Sequence, residues 1–429
     1  MVVHYQIHDK ENNMSRPLKR GFNTRLSHAE LPYLMPHSHV MPLYNTSAYA
    51  VESLDPSDED EYPFKYARIA HPNGIELECT LASLEEGEAA VVMADGMRAI
   101  SVTCTSLLSR KKMGTIISTQ PLYSDTYSFF KQDMPAFGRE CFFLDAAQSP
   151  EDQLRAYIDQ TRPHLSRYQL PPIDFIFIET PANPTLAVFD IQKLSAIAHE
   201  HDIPVVVDST FATPYNQRPL LLGADIVIHS LTKYCCGHGD ALGGAIIGPK
   251  KFVEHMRHRM RREGGHMNPD AASRIQRGLR TLGLRMVAHN NNALLLARFL
   301  ASEKNKNKIR AVHYPGLPTH PEHAIAKTQM RTPSDKPGFG GMVSFELTRS
   351  EWIKPFYRYL GQKTMVTLAV SLGSTDSTFS VPALQIHGAL SPQERKTLGI
   401  SDTLIRFSVG IEEFSDIKHA MASALKQLS

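Results

Sequence analysis

A lysine with two hydroxyl neighbours follows one of the short apolar runs of this sequence. The segment reads His229-Ser230-Leu231-Thr232-Lys233 and leads into a glycine-rich stretch that ends at Asp240. A lysine amine can form a Schiff base with a carbonyl compound, and neighbouring hydroxyl groups can bind a phosphate. The segment therefore predicts a site for a carbonyl cofactor that carries a phosphate.

Three other segments could complete this site. Asp208 ends an apolar run, and a carboxylate at the carboxyl end of a strand could keep a pyridine nitrogen protonated. Gly96 and Met97 stand between a predicted strand and a predicted helix, where backbone N–H groups can bind a phosphate. Tyr66 and Arg68 could add a phenol and a guanidinium to the same phosphate. Taken singly, Asp208 could equally cap a helix, and Tyr66 and Arg68 could be a solvated surface pair.

The same loop also contains potential metal ligands, namely His229, Cys235, Cys236 and His238. Structural zinc sites use closely spaced but non-adjacent cysteine pairs, usually with a second cluster of ligands elsewhere in the chain. Neither feature is present. We therefore predict that these cysteines pack around the loop and that the protein binds no metal.

Short apolar runs that alternate with amphipathic segments must position these residues. Such runs are typical of strands buried on both faces, and they lie at 90–94, 115–118, 174–178, 204–207, 225–228 and 243–247. Segments 151–160 and 192–201 have helical patterns. The alternation predicts an α/β fold with a mostly parallel sheet that is covered by helices.

The pattern changes after about residue 270. A long helical stretch covers 271–302, and strand-like runs at 342–347, 365–370 and 404–409 precede a closing helix from Ser415. We predict a cofactor-binding α/β domain at 71–285 and a smaller C-terminal α+β domain at 286–429. Residues 1–70 are polar and irregular, and they are predicted to form an extended arm over the body or over a neighbouring subunit.

The charge balance limits the classes of partner. The 429 residues include 46 lysines and arginines against 44 aspartates and glutamates, a formal net charge of +2. Because neither sign dominates, we expect a small-molecule substrate and no nucleic acid or membrane partner. No apolar run is long enough to span a membrane, and five scattered cysteines favour a cytoplasmic location over a secreted disulfide framework.

Taken in order, these segments resemble the pyridoxal phosphate (PLP) enzymes of cysteine and methionine metabolism, the trans-sulfuration family. The resemblance covers roughly nine tenths of the chain. Its motifs lie at 21–25, 66–68, 84–88, 179–185, 208–211, 230–233, 277–282, 314–318 and 404–410. It implies fold type I, the aspartate aminotransferase architecture, with PLP as cofactor. Segments 133–138, 180–185 and 237–240 are most similar to methionine γ-lyases, with cystathionine γ-lyases and γ-synthases close behind.

The resemblance also implies roles for individual residues around the cofactor ring. Lys233 would be the Schiff-base lysine and proton shuttle. Asp208 would pair with the pyridine nitrogen, and Asn183 would bond the phenolic oxygen of the cofactor. Tyr123 would stack on the ring and supply a proton to the leaving group.

Other residues would hold the two charged ends of cofactor and substrate. The phosphate ligands implied by the resemblance are Gly96, Met97, Ser230 and Thr232, with Tyr66 and Arg68 from a neighbouring subunit. The substrate carboxylate would be bound by Arg406 and Ser371, next to Asn183. A site that a neighbour completes implies a homotetramer, built as a dimer of dimers.

The sequence departs from the family near the distal end of the substrate. Methionine γ-lyases carry a cysteine two residues after the ring-stacking tyrosine, where this chain has Asp125. An ionised Asp125 that faces the site would disfavour a thioether tail and favour a substrate with a polar or cationic distal end. The alternative is that Asp125 turns outward and caps the following helix. Asp95 and Asp376 are further departures, in place of a serine or threonine and a glutamate.

The activity implied is that of a PLP-dependent lyase that eliminates the γ-substituent of an amino acid related to methionine or homocysteine. Its products would be a 2-oxo acid and ammonia. Replacement of the γ-substituent, as in cystathionine γ-synthase or homoserine-ester sulfhydrylases, is the first alternative, and β-elimination from cystathionine is the second. A PLP-binding scaffold without turnover is disfavoured, because a binding module needs no lysine nucleophile.

Overall fold

The computed structural model describes residues 20–27, 39–50, 64–161, 171–388 and 390–428, so much of the predicted arm lies outside the described residues. The strands are β1 (Ala89–Met93), β2 (Gly114–Gln120), β3 (Arg139–Asp145), β4 (Ile173–Glu179), β5 (Val205–Asp208), β6 (Ile226–Ser230), β7 (Gly244–Gly248), β8 (Ile309–His313), β9 (Met342–Leu347), β10 (Thr367–Leu368), β11 (Thr378–Ser380) and β12 (Leu404–Ser408). The α-helices are α1 (Phe22–Ser27), α2 (Pro72–Glu85), α3 (Gly96–Leu107), α4 (Ser124–Ser128), α5 (Pro150–Thr161), α6 (Ile191–His199), α7 (Thr213–Asn216), α8 (Lys250–Glu263), α9 (Pro269–Leu279), α10 (Leu282–Leu300), α11 (His323–Gln329), α12 (Ile353–Lys363), α13 (Pro392–Thr397) and α14 (Phe414–Lys426).

The first sheet has seven strands in the order β1-β7-β6-β5-β4-β2-β3. Strands β2 to β6 pair in parallel, and only β7 runs antiparallel to its neighbours. Helices cover both faces: on β4, Phe175 and Phe177 pack with α3 and α8, whereas Ile176 and Ile178 pack with α5 and α6. This alternation along one strand explains why the run reads as uniformly apolar. The predicted α/β fold with a mostly parallel sheet is confirmed.

All six strands predicted for this sheet are present, but β3 was missed. It contains Arg139, Glu140 and Asp145, and most of its side chains are only half-buried because β3 is the edge strand. Arg139 is nevertheless buried, and its Nε lies 2.8 Å from Oδ2 of Asp174. The charged residues that obscured the strand in the sequence include one that the fold buries as an ion pair.

The second sheet has five strands in the order β10-β11-β12-β9-β8. The predicted run at 365–370 is strand only at Thr367–Leu368. Beyond the strand, the carbonyl groups of Val370 and Ser371 accept hydrogen bonds from Arg406. Strands β8 and β11 were not predicted. The smaller sheet domain itself is confirmed.

The helix α10 connects the two halves of the chain. Near its start, Leu282 and Met286 pack in the core that includes α2, α9 and the first sheet. Near its end, Leu296 and Leu300 pack in the core of the second sheet. The predicted domain boundary between residues 285 and 286 falls within this helix and stays a prediction.

Candidate active site

A cavity of about 770 Å³ opens at the carboxyl ends of the parallel strands. This is the usual place for a ligand in an open α/β sheet. Its lining includes eleven of the thirteen predicted site residues: Gly96, Met97, Tyr123, Asp125, Asn183, Asp208, Ser230, Thr232, Lys233, Ser371 and Arg406. Residues from both sheets therefore meet in one cavity.

Lys233 lies in the loop that follows β6, and no carboxylate among the described residues forms an ion pair with it. Burial, and secondly the positive charge of Arg406, lower the pKa of its amine to about 8. A lysine of this kind is partly uncharged near neutral pH, and only the uncharged amine is a nucleophile.

Asp208 and Glu179 end two neighbouring parallel strands and occupy paired positions in the sheet. Asp208 accepts hydrogen bonds from the backbone N–H of Thr210 at 3.0 Å and from its hydroxyl at 2.6 Å. Glu179 accepts from the backbone N–H groups of Tyr123 and Asn183, each at 2.8 Å. Burial raises the pKa of both carboxyl groups, and the charge of Asp208 raises that of Glu179 further.

Glu179 is a site residue to which the sequence analysis assigned no role, although it begins the 179–185 motif. Its two carboxylate oxygens fix the backbone of Tyr123 and of Asn183, which also line the cavity. The signal available in the sequence was a glutamate at the end of a buried strand. Its hydrogen-bond partners Tyr123 and Asn183 are 56 and 4 residues away in the sequence, and only folding brings Tyr123 close.

The N-terminus of α3 forms one end of the cavity. Asp95 caps this helix, with its Oδ1 accepting from the N–H of Arg98 at 2.7 Å. A side chain at Gly96 would place its Cβ 2.9 Å from the Cβ of Ser230, so the close approach of helix and strand requires glycine here. Asp95, which stands where the family has a serine or threonine, thus caps the helix, and the helix N-terminus still faces the cavity.

Arg406 lies on β12 and is almost fully buried. Its guanidinium donates to Oδ1 of Asn183 at 3.2 Å and to the carbonyl of Val370 at 2.8 Å. No described carboxylate forms an ion pair with it, and its Nε has no hydrogen-bond partner. Burial lowers its pKa to about 10. An unpaired buried cation is costly unless a ligand supplies the anion, so Arg406 suits a carboxylate.

Tyr123 precedes the short helix α4, and its phenol faces the side chain of Asp125. Tyr123 Oη donates to Oδ2 of Asp125 at 2.8 Å. Asp125 is exposed and lines the cavity, and neither it nor Tyr123 caps α4 through its side chain. Burial and this hydrogen bond raise the pKa of the Tyr123 phenol, which stays protonated.

Tyr66 and Arg68 are the two predicted site residues that do not line this cavity. Arg68 donates to the carbonyl of Arg261, and its guanidinium carbon lies 5.2 Å from the centre of the Tyr66 ring. Within a single chain, the two residues therefore make contacts with each other and with α8.

The alternative metal ligands have other partners. His229 Nε2 lies 2.6 Å from a carboxylate oxygen of Glu85, and His238 Nδ1 lies 2.7 Å from the carbonyl of Cys236. Across the described part of the chain, no three side chains of the metal-binding types form a cluster that could hold an ion.

The site fits PLP in three respects. It offers a lysine amine with a lowered pKa, a buried carboxylate that could face a ring nitrogen, and a helix N-terminus with the Ser230 and Thr232 hydroxyls for a phosphate. A model of the Cys/Met metabolism PLP-dependent enzymes matches residues 27–426. The chain belongs to this family. PLP is accordingly its cofactor, and the trans-sulfuration resemblance and fold type I are confirmed.

Relatives within the family have different reactions in their names. An L-methionine gamma-lyase of Fusobacterium nucleatum is 37% identical over 418 residues, which are 96% of this chain and 99% of the relative. A cystathionine beta-lyase of Lactococcus lactis is 36% identical over 389 residues, which are 90% of this chain and 94% of the relative. The crystal structure of a cystathionine gamma synthase from Xanthomonas oryzae, in complex with cystathionine, has a TM-score of 0.84 at 29% identity and covers 95% of this chain and 98% of that one. This PLP-dependent enzyme is therefore similar to enzymes of several sulfur amino-acid reactions.

Proposed function

We propose that this enzyme eliminates the γ-substituent of an amino acid related to methionine or homocysteine and releases a 2-oxo acid and ammonia. The observation that carries the proposal is the placement of Arg406 and Lys233 in one cavity. Arg406 is a buried cation without a carboxylate partner, and Lys233 is an amine with a lowered pKa. Arg406 would hold the substrate carboxylate, and Lys233 in the same cavity would act on the α-carbon.

The cavity residues divide into those for the cofactor and those for the substrate. Lys233 would attach PLP, Asp208 would pair with its pyridine nitrogen, and Asn183 would bond its phenolic oxygen. The phosphate would be held by Gly96, Met97, Ser230 and Thr232. When bound, PLP supplies an electron sink for the charge that develops on the substrate.

The chain itself supplies the proton transfers. The Lys233 amine takes the proton from Cα and then a second proton from Cβ, and it can return a proton to Cγ after the substituent has left. A pKa near the working pH is the best compromise for both directions of transfer. The protonated phenol of Tyr123 gives its proton to the group that leaves Cγ, which then replaces Asp125 as the acceptor of that proton. Arg406, with Ser371 and the amide of Asn183 beside it, orients the carboxylate so that these two groups face the reacting carbons.

Two other reactions use the same machinery. In γ-replacement an added thiol takes the place of the substituent that leaves Cγ, and in β-elimination the bond between Cβ and the sulfur of cystathionine breaks. The similarity to a methionine gamma-lyase over 99% of that relative's length supports elimination at Cγ as the first choice.

A product assay distinguishes the three reactions. Purified enzyme should be incubated with methionine, cystathionine or an O-acyl-homoserine, each with and without an added thiol. We expect 2-oxobutanoate and ammonia without thiol. A thioether formed only with thiol would establish replacement, whereas pyruvate from cystathionine would establish β-elimination. Absence of all these products would refute the assignment.

We infer further that the active enzyme is a homotetramer built as a dimer of dimers, in which Tyr66 and Arg68 complete a neighbour's phosphate site. Their absence from the cavity of their own chain supports this. Mixing Arg68→Ala and Lys233→Ala subunits tests it, because a mixed pair would keep one site with both residues intact. Activity should return only on mixing. Activity that stays absent after verified subunit exchange would contradict the crossing of the arm.

We also infer a cytoplasmic location. No helix in the described part of the chain has the length and apolar character that a membrane crossing needs. All five cysteines are free. Cell fractionation with antibody detection checks the location, and recovery in a membrane or extracellular fraction would contradict it.

A further inference from the structure

The pair formed by Tyr123 and Asp125 is the part of the cavity that the family resemblance does not explain. Asp125 stands in the first turn of α4, where a carboxylate commonly bonds to the backbone N–H groups of the helix. Here its Oδ2 accepts the hydroxyl proton of Tyr123 instead. The side chain is exposed and belongs to the cavity wall, so it is neither turned outward nor used as a cap.

The charge of Asp125 is not balanced by a neighbour. Among the described residues no lysine, arginine or histidine forms an ion pair with it. His387 is the titratable group beside it, and burial together with the charge of Arg406 lowers the pKa of His387 to about 4, which leaves the imidazole neutral. Arg406 and Glu179 face the Tyr123 side of the pair, and both have hydrogen-bond partners of their own.

The hydrogen bond between Tyr123 and Asp125 determines which hydrogen-bonding groups this cavity wall presents to a substrate. A phenol has one proton, and a carboxylate has none to give. While the Tyr123 hydroxyl donates its hydrogen bond to Asp125, the phenolic oxygen and the carboxylate present only lone pairs to an arriving substrate. A thioether sulfur is a weak acceptor without a proton and gains nothing from such a wall, whereas an N–H or O–H group can donate to it.

We propose that Asp125 is a positioning residue that accepts the hydrogen bond of the Tyr123 hydroxyl before reaction, and that the pair selects substrates with an N–H or O–H donor beyond Cγ. This inference rests on the proposed function and narrows its substrate class. It predicts a preference for tails such as an amine, an alcohol or the distal end of cystathionine over the methyl thioether of methionine.

Binding of unreactive amino acids tests the proposal without relying on turnover. Norleucine, 6-hydroxynorleucine and lysine share one carbon chain and end in a methyl group, a hydroxyl and an ammonium, and none carries a leaving group at Cγ. Dissociation constants should be measured by equilibrium dialysis with the PLP-loaded enzyme. We expect lysine and 6-hydroxynorleucine to bind at least about tenfold more tightly than norleucine.

Variants separate the positioning role from a direct contact with the substrate. Asp125→Ala should abolish the preference, because the Tyr123 proton becomes available to the cavity. Asp125→Asn can still accept that proton through its carbonyl, so it should keep the preference for 6-hydroxynorleucine and lose the added preference for lysine. In a Tyr123→Phe background, Asp125→Ala should change the ratio for 6-hydroxynorleucine much less than it does in the wild type.

Asp376→Ala is the matched control. Asp376 is another exposed aspartate that departs from the family, it accepts from the Thr375 hydroxyl, and it does not line the cavity. Its removal should leave every ratio unchanged. Thermal unfolding midpoints and the visible absorbance of bound PLP should match those of the wild type in the Asp125 variants, which establishes that they fold and load.

The possible failures are distinct. An unchanged ratio in Asp125→Ala overturns the inference while leaving the proposed lyase reaction intact. Equal effects of Asp125→Ala in the wild type and in the Tyr123→Phe background overturn the positioning role and assign a direct contact instead. Absence of product from all the sulfur amino acids, with the binding preference present, overturns the proposed function alone.

Discussion

The cavity has two ends that differ in burial. At the cofactor end, Asp208 and Arg406 are 8% and 2% exposed, and each is held by hydrogen bonds from or to neighbouring strands and loops. At the distal end, the side chain of Asp125 is exposed. Under the proposed function, the buried groups in fixed contacts carry the chemistry, and the exposed wall selects the side chain of the substrate.

The sharpest contrast between the two ends should come from Lys233→Ala. Without the amine, the visible absorbance of lysine-bound PLP should disappear and kcat should fall by at least about 10³-fold, because attachment and proton transfer are both lost. Absorbance spectra and a 2-oxo acid assay measure the two effects. The exposed lysine variant Lys193→Ala should behave like the wild type. Retention of the absorbance band in Lys233→Ala would place the attachment site elsewhere.

Arg406→Lys should be the next most damaging change. A lysine keeps the charge but cannot bond Asn183, the Val370 carbonyl and a carboxylate in one plane, so kcat/KM should fall by about 10²-fold. Arg139→Lys alters another buried arginine, one that does not line the cavity. It should lower the unfolding midpoint and leave KM unchanged. Equal KM values for the two variants would show that Arg406 does not bind the substrate.

Glu179→Ala should lower the free energy of unfolding, because Glu179 holds the backbone at the cofactor end of the cavity. The backbone N–H groups of Tyr123 and Asn183 would lose their acceptor, at a cost of about 1–3 kcal/mol for the buried group of Asn183 and less for the half-buried group of Tyr123. Chemical denaturation should rank the free energy of unfolding as wild type, Glu179→Gln, then Glu179→Ala. The exposed Glu140→Ala on β3 is the control. A Glu179→Ala variant as stable as this control would contradict the bracing role.

The smallest effect concerns the pH dependence of cofactor attachment. Only the neutral Lys233 amine attacks PLP, so the rate of attachment to cofactor-free protein should rise with pH through a midpoint of about 8. Removing the neighbouring charge in Arg406→Gln should raise this midpoint, and because burial remains it should stay below 10.5. Stopped-flow absorbance at a series of pH values measures it. A midpoint that falls in Arg406→Gln would contradict the assigned effect, in which the charge of Arg406 lowers the pKa of Lys233.

The sequence allowed prediction of most of the parallel sheet and of the cofactor end, because both depend on local runs and short motifs. Six strands with continuous apolar runs were found, whereas β3 was hidden by its charged residues, of which Glu140 is exposed at the sheet edge and Arg139 is buried in an ion pair. The run at 365–370 has a strand-like composition, and its sequence gives no sign that its last carbonyl groups accept hydrogen bonds from Arg406, more than thirty residues further on.

The distal end was harder to predict for a physical reason. An aspartate two residues after a tyrosine can cap a helix, face the cavity or bond the phenol, and these alternatives differ only in side-chain rotation. The first two alternatives were predicted, and the structure has the carboxylate in the cavity wall and bonded to the phenol. Glu179 was overlooked similarly, because its contact with Tyr123 exists only after two strands have paired.

The helix α10 has a consequence for hybrid enzymes assembled from two relatives. Its first turns belong to the core beneath the cofactor sheet, and its last turns belong to the core that supports the arginine strand β12. A crossover at residue 285 would join two half-helices that were never selected to pack together. A crossover beyond Leu300, before β8, would keep the helix whole and still exchange Val370, Gln385 and Ile386 of the cavity wall. This exchange would replace the C-terminal part of the cavity wall as a unit and leave Lys233 and the Tyr123–Asp125 pair unchanged.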